Sequence, residues 1–180
     1  YLPTDCRLAD VFIFDQEGIF VSRLSDKRFV FTTDYSLSTQ LPIGNYTFVS
    51  WLNLQSCYEI EPDEFIPGET RFDDAFLHFS RYVQEIETVP EALFYGSLTD
   101  VTITGRKQEI TIPVIPDNYR VNFTVTGPLD SQHYYQFGIR ATNGTYTFDN
   151  SFAPCGEHFY NRFTRTNEEN KLISGHTLMR

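Results

Sequence analysis

The sequence predicts an all-β protein made of sandwiches, and three observations carry that prediction. Rings are abundant, with 17 Phe and 11 Tyr among 180 residues, and ring-rich segments suit pleated sheets better than helices. Apolar and polar residues alternate in short runs; Tyr119, Val121, Phe123 and Val125 take turns with Arg120, Asn122, Thr124 and Thr126. Gly, Pro, Asn and Asp recur between these runs, so strands are joined by short turns.

In chain order, residues 8–14 read as the first strand and DQEG at 15–18 as a reverse turn with Gly18 at its end. Residues 19–21 return, making ADVFIFDQEGIFVS a hairpin. RFVFT at 28–32 is a further strand. LPIGNYTFVSW at 41–51 then organises its surroundings. Pro42 fixes φ and Gly44 permits positive φ, so a turn precedes the strand. Tyr46 and Phe48 point one way, and Thr47, Val49 and Trp51 the other. Apolar residues on both faces mark a central strand, and Trp51, the single tryptophan, anchors a core.

Residues 53–67 read as a polar loop. Residues 75–83 form a strand with Phe76, His78, Ser80 and Tyr82 on one side and Leu77, Phe79, Arg81 and Val83 on the other, while 83–87 is also readable as a short helix. A short strand at 92–95 ends at Gly96. Strands at 101–104 and 108–114 flank the loop Gly105, Arg106, Lys107, and Pro113 and Pro116 make the second an edge strand or one leaving its sheet. The boundary between domains falls at Pro116, Asp117 and Asn118, giving residues 1–115 as an N-terminal sandwich and 116–180 as a second. In the second, strands at 119–126 and 133–141 are followed by Asn143 and Gly144, a two-residue hairpin signal, with the return at 145–148. Residues 150–162 read as irregular, and 172–179 as a last strand. About four strands are too few for a closed seven-strand sandwich of roughly 100 residues. The second unit is therefore incomplete, by truncation or by borrowing a strand.

Charge placement limits the partners. The formal charge is -10. Residues 1–115 carry 18 Asp and Glu against 8 Lys and Arg, and residues 116–180 carry 6 of each. Nucleic-acid binders carry basic stripes, so this balance argues against nucleic acid. The densest acidic stretch, 59–74, lacks the spacing of a calcium loop and reads as a solvated loop. No apolar run approaches the ~18 residues of a membrane helix, and no signal peptide begins at Tyr1. Cys6, Cys57 and Cys155 are too scattered for a disulfide framework or zinc site, and read as structural with at most one pair. No cofactor, metal or catalytic motif is present, and His78, His133, His158 and His176 fall on separate elements. Asn45, Asn122 and Asn143 head Asn-x-Thr sequons, which chance explains in a Thr-rich β protein.

The segments ADVFIFDQEGIFV (9–21), LPIGNYTFVSWLN (41–53), ALFYGSLTDVTI (92–103), QEITIPV (108–114), YRVNFTVTG (119–127) and NGTYTFDN (143–150) follow one another in a recognisable order. As an ordered set the chain resembles the fimbrillin-associated fimbrial anchor subunits of Gram-negative anaerobes. The resemblance covers residues 9–150 well. It implies two transthyretin-like β-sandwich domains, surface display on a fimbrium at the outer membrane, and an accessory or anchor role without catalysis. It implies fimbrial shaft or accessory subunits as partners, and family members carry a signal peptide and a lipidated N-terminal Cys that this chain does not show.

A sandwich lacking an edge strand exposes backbone groups that a neighbour's extended segment can complete. The interface residues expected on this basis are Gln108, Ile110, Ile112 and Val114 on the presumed edge strand, and Leu172, Ile173 and Leu178 on the last strand. The alternative reading is a carbohydrate-binding or adhesin module, with Tyr134, Phe159 and Tyr160 as stacking rings. The plainer reading of those rings is core filling. A hydrolase with a site scattered over loops is a further alternative that no motif supports.

Overall fold

The computed structural model describes residues 6–27, 32, 34–55, 57–80, 85–87, 89–130, 132–165 and 171–180. Its strands are β1 (Ala9–Asp15), β2 (Phe20–Asp26), β3 (Gly44–Leu52), β4 (Tyr58–Glu61), β5 (Phe76–Phe79), β6 (Glu85–Ile86), β7 (Phe94–Ile103), β8 (Ile115–Pro116), β9 (Asn118–Thr126), β10 (Tyr135–Ala141), β11 (Thr145–Thr147), β12 (His158–Thr164) and β13 (Lys171–Met179). A single 3₁₀ turn at Phe72–Asp74 is the only helical element among the described residues. The all-β class is thus met.

The largest sheet runs β2-β1-β3-β7-β8, with antiparallel neighbours throughout. The expected hairpin joins β1 to β2. Asp15 Oδ1 accepts from the amides of Glu17 (3.0 Å) and Ile19 (2.9 Å), and Gly18 takes φ +73°. β3 is central as expected, with β1 on one side and β7 on the other. Trp51 is fully buried, its ring 4.7 Å from that of Tyr95. A second sheet, β11-β5-β4, faces this one. The main core lies between them, with Phe12, Phe14, Val49 and Trp51 from the first sheet meeting Leu77, Phe79, Tyr146 and Phe148.

Within that core Asp10 is wholly buried and paired. Arg23 Nη2 lies 2.7 Å from Asp10 Oδ1, the Ser25 hydroxyl donates to the same oxygen at 2.7 Å, and the Arg23 guanidinium sits over the Phe12 ring. The acidic stretch is pinned rather than loose. Phe65 and Phe72 insert among Phe12, Phe14 and Phe20, and the Phe20 amide donates to Thr70 O at 2.8 Å. A satellite hub ties three segments together at Asn53. Its carboxamide accepts from Arg7 N and donates to Ala92 O, both at 2.8 Å, from a backbone at φ +67°.

Residues 108–114 correct the expected edge strand. They join no ladder. Ile110 and Ile112 pack on the outer face of the large sheet against Ile13, Tyr46 and Phe48, and Val114 packs on Leu52 and Phe94. The segment is a strap across that face. It crosses at Gly96, where any Cβ would overlap the Pro113 carbonyl oxygen. Pro113 has no N–H to lend to a ladder, which is why the alternation of QEITIPV serves face packing instead. Gly96 likewise does not end a strand; β7 continues through it to Ile103, with a bulge opposite Tyr46 and Phe48 and Asp100 at φ +57°.

Beyond Pro116 the chain forms a ribbon, β9 with β13, and the pair β10 and β12, which β6 from the first half joins as a third strand. Three further expectations change here. β11 does not return along β10 from Asn143 and Gly144; it pairs with β5. Asn143 donates to Met179 O at 2.7 Å and accepts from the Tyr160 hydroxyl at 3.1 Å, so its half-buried side chain is a tie within the fold rather than a hairpin tip. Residues 150–162, read as irregular, contain the start of β12. Glu85–Ile86 is a strand parallel to β12, not part of a helix. The strand expected at 28–32 lies outside the described residues apart from Thr32, as do residues 83 and 84 of the helix alternative.

Candidate functional site

The site suggested by the sequence is a set of strand edges, and the structure distributes its residues unevenly. Gln108 is exposed but engaged. Its Oε1 accepts from Thr104 N at 2.8 Å and its Nε2 donates to Thr102 O at 3.1 Å, closing the turn after β7. Ile110, Ile112 and Val114 are half-buried on the strap's inner side, against the large sheet. Leu172 and Leu178 lie in this chain's own core. Ile173 is 55% exposed. The register explains the split, since Leu172 and Leu178 share the face of Val125 and Tyr119, and Ile173 sits on the other face opposite Thr124.

The open edges lie elsewhere. Among the described residues β9 pairs only with β13, and β10 only with β12. β9 is nine residues long, carries Arg120 as its one charge and contains no proline. Long, flat, uncharged edges invite another strand. Behind that edge Phe123 stacks on Phe137 of β10 at 5.6 Å and meets His176 edge-on at 5.5 Å. Sequence reasoning picked out β9 as the clearest strand but placed the interface on its partner. The signal available was the single charge in NYRVNFTVT.

Chemistry is sparse in this region. Ser174 Oγ lies 3.2 Å from His176 Nε2, the one close hydroxyl–imidazole pair here, but both are buried and the ring faces Phe123. Burial lowers the His176 pKa, with Arg162 adding to the effect. Tyr160, one of the suggested stacking rings, is buried; desolvation pushes its pKa up to about 12. Among the described residues no cluster of His, Cys, Asp and Glu is arranged to hold a metal. Cys57 and Cys155 are free thiols, and Cys155 Sγ accepts from Gly144 N at 3.2 Å.

The passage from β8 to β9 runs through Asp117, which is wholly buried. Its amide donates to Leu93 O (2.8 Å), its carbonyl accepts from Arg180 N (3.0 Å), and its Oδ1 accepts from Asn150 Nδ2 (2.9 Å). Asp117 Oδ2 and Asn150 Oδ1 are both buried without a partner. Burial raises the Asp117 pKa against the opposing effects of Asn150 and Arg180. Beside it opens a cavity of about 370 Å³ walled by Tyr95, Tyr146 and Phe152.

The family model for the fimbrillin-A associated anchor proteins Mfa1 and Mfa2 matches residues 2–180. The chain belongs to this anchor family. Solved structures share its fold. The fimbrial anchor protein Mfa2 from Porphyromonas gingivalis superposes with a TM-score of 0.81 at 20% identity, over 99% of this chain and 66% of that one. A Bacteroides ovatus protein described as a candidate adhesin gives 0.76 at 17% identity, over 98% and 62%. A Bacteroides thetaiotaomicron protein described as a candidate polysaccharide-binding protein gives 0.73 at 21%, over 94% and 68%. The 180 residues of this anchor-family chain thus span 62–68% of those relatives' own length. No curated protein sequence matches it.

Proposed function

We propose that this chain is a non-catalytic fimbrial accessory subunit, an anchor, that joins shaft or accessory subunits by strand addition. The observation that carries the reading is the nine-residue edge of β9, unpaired among the described residues, backed by the edge of β10, which is likewise unpaired among them. In this reading the chain comprises two transthyretin-like units, residues 1–115 and 116–180, with β11 lent back to the first. The second is completed by an extended segment lying along β9, and Ile173 is exposed on the same ribbon. Outer-membrane association runs through a lipid anchor outside these residues. The test is Asn122→Lys with Thr124→Lys, which charge the edge without touching the core. Co-purification with fimbrial subunits is expected to fall about tenfold with the thermal midpoint unchanged. Undiminished co-purification sinks strand addition at β9.

A second reading places a carbohydrate site on the same protein. Tyr134 and Phe163 are 64% and 61% exposed, and both lie on the β10-β12-β6 sheet side of the molecule. The polysaccharide-binding description of one structural neighbour supports it.

A further inference from the structure

The outward face of β10 and β12 carries a set of side chains that the strand-addition reading does not use. In the β10–β12 ladder Ile139 opposes the buried Tyr160, so that pair faces inward. Gln136 with Phe163, Gly138 with Asn161, and Arg140 with Phe159 therefore face out. One step past the last ladder pair, Tyr135 with Thr164, the Arg165 guanidinium carbon lies 3.8 Å over the Tyr134 ring.

We propose that this face binds an acidic polysaccharide, with a pyranose ring on Phe163 and a sugar carboxylate on Arg165. Tyr134 covers the flat side of the Arg165 guanidinium, which holds it in place and leaves its in-plane N–H groups at the rim, where a carboxylate accepts two of them. Phe163 is a bare ring on the next same-face pair, roughly 7 Å along the strands. Gln136, directly across from Phe163, has a fixed orientation. Its Nε2 donates to Asn161 Oδ1 at 2.8 Å, and Asn161 in turn donates to Glu85 Oε1 at 2.9 Å. That leaves Gln136 Oε1 as the acceptor for a sugar hydroxyl.

The other rings and cations are spent within the chain. Arg140 is paired with Glu157 at 2.6 Å and lies over Phe159, whose ring fills the space above Gly138. Among the described residues Arg165 is the cation this face offers. An anionic ligand meets less repulsion on this half, because residues 116–180 hold 6 acidic and 6 basic residues while the excess of acid lies in residues 1–115. A ring platform beside an oriented amide selects a sugar over a plain anion.

The proposal rests on the second reading and is independent of strand addition. The test is binding of the 180-residue chain to polygalacturonate, with dextran and polyglutamate as comparison polymers. Polygalacturonate is expected to bind at least about tenfold more tightly than either. Phe163→Ala and Arg165→Gln are each expected to weaken it about tenfold while leaving the thermal midpoint unchanged, both side chains being exposed. Equal binding of dextran overturns the acidic class, and equal binding of polyglutamate reduces the face to an anion contact. Polygalacturonate binding that neither substitution weakens overturns this site and leaves the second reading standing. Binding of none of the three polymers sinks both, while the co-purification assay still judges strand addition separately.

Discussion

The large sheet and the β9–β13 ribbon are both antiparallel and rich in rings and β-branched residues, and they end in different states. β1 and β3 are apolar on both faces and β9 on one, and Phe12, Phe14 and Trp51 are fully buried while Tyr119 and Val125 stand 56% and 38% exposed. The large sheet is covered twice, by the β11-β5-β4 sheet on one face and by the strap of residues 108–114 on the other. The ribbon is covered along β13, where Leu172, Ser174, His176, Leu178 and Met179 are buried, while most of β9 stays exposed. Alternation tells which face of a strand is apolar; whether anything covers that face depends on segments distant in sequence.

The sharpest way to break this contrast is a matched pair of truncations. Trp51→Ala is expected to cost about 3–5 kcal/mol in chemical denaturation, against under ~1 kcal/mol for Val125→Ala. A comparable loss at Val125 would mean that the ribbon is already a closed core. Next in size is Asn53→Ala, which strands the Arg7 amide and the Ala92 carbonyl and forces alanine to φ +67°. About 1–3 kcal/mol is expected, read from the same denaturation curves, and a neutral result would show that the hub is not needed to hold the first sheet.

The smallest effect is at the junction between the two regions. Asp117 has a folded pKa above its unfolded one, so the folded state holds the extra proton and stability falls as pH rises from the ordinary carboxylate range through the folded value. Asp117→Asn keeps the shape and removes that slope. Its thermal midpoint at neutral pH is expected to rise above that of the unsubstituted chain, and the gap to close as pH drops below about 4. A midpoint lowered at neutral pH would show that the ionised carboxylate, held by Asn150 and facing the charge of Arg180, is the form that stabilises the junction.

Much of the fold was legible. The β1–β2 hairpin followed from Asp15 and Gly18, the central position of β3 from its two apolar faces, and the family from six motifs in order. The strap was misread because Ile110, Ile112 and Val114 alternate as a strand would; the contrary cue was Gly96, a residue whose lack of side chain makes room for a crossing backbone. Asn143 and Gly144 carry the strongest hairpin signature in the chain, and tertiary demand overrode it, since Asn143 is used by Met179 and Tyr160. The candidate edge was half legible. Sequence gave β9 its faces, but which of its two edges would be occupied by β13 is decided by a pairing across some fifty residues, for which no local pattern exists.

The insertion of Phe65 and Phe72 into the main core has an electrostatic consequence. Glu59, Glu61, Asp63, Glu64, Glu69, Asp73 and Asp74 hang from a backbone held by those two rings, so their charge is a fixed object and not a fluctuating cloud. With nearly all the net charge in the first half of the chain, the molecule has a permanent charge gradient from one half to the other. An anionic chain approaching in dilute buffer is turned from the acidic half and meets the neutral one first. At physiological salt that guidance fades within about 8 Å of the surface, and the final contacts alone decide what stays bound.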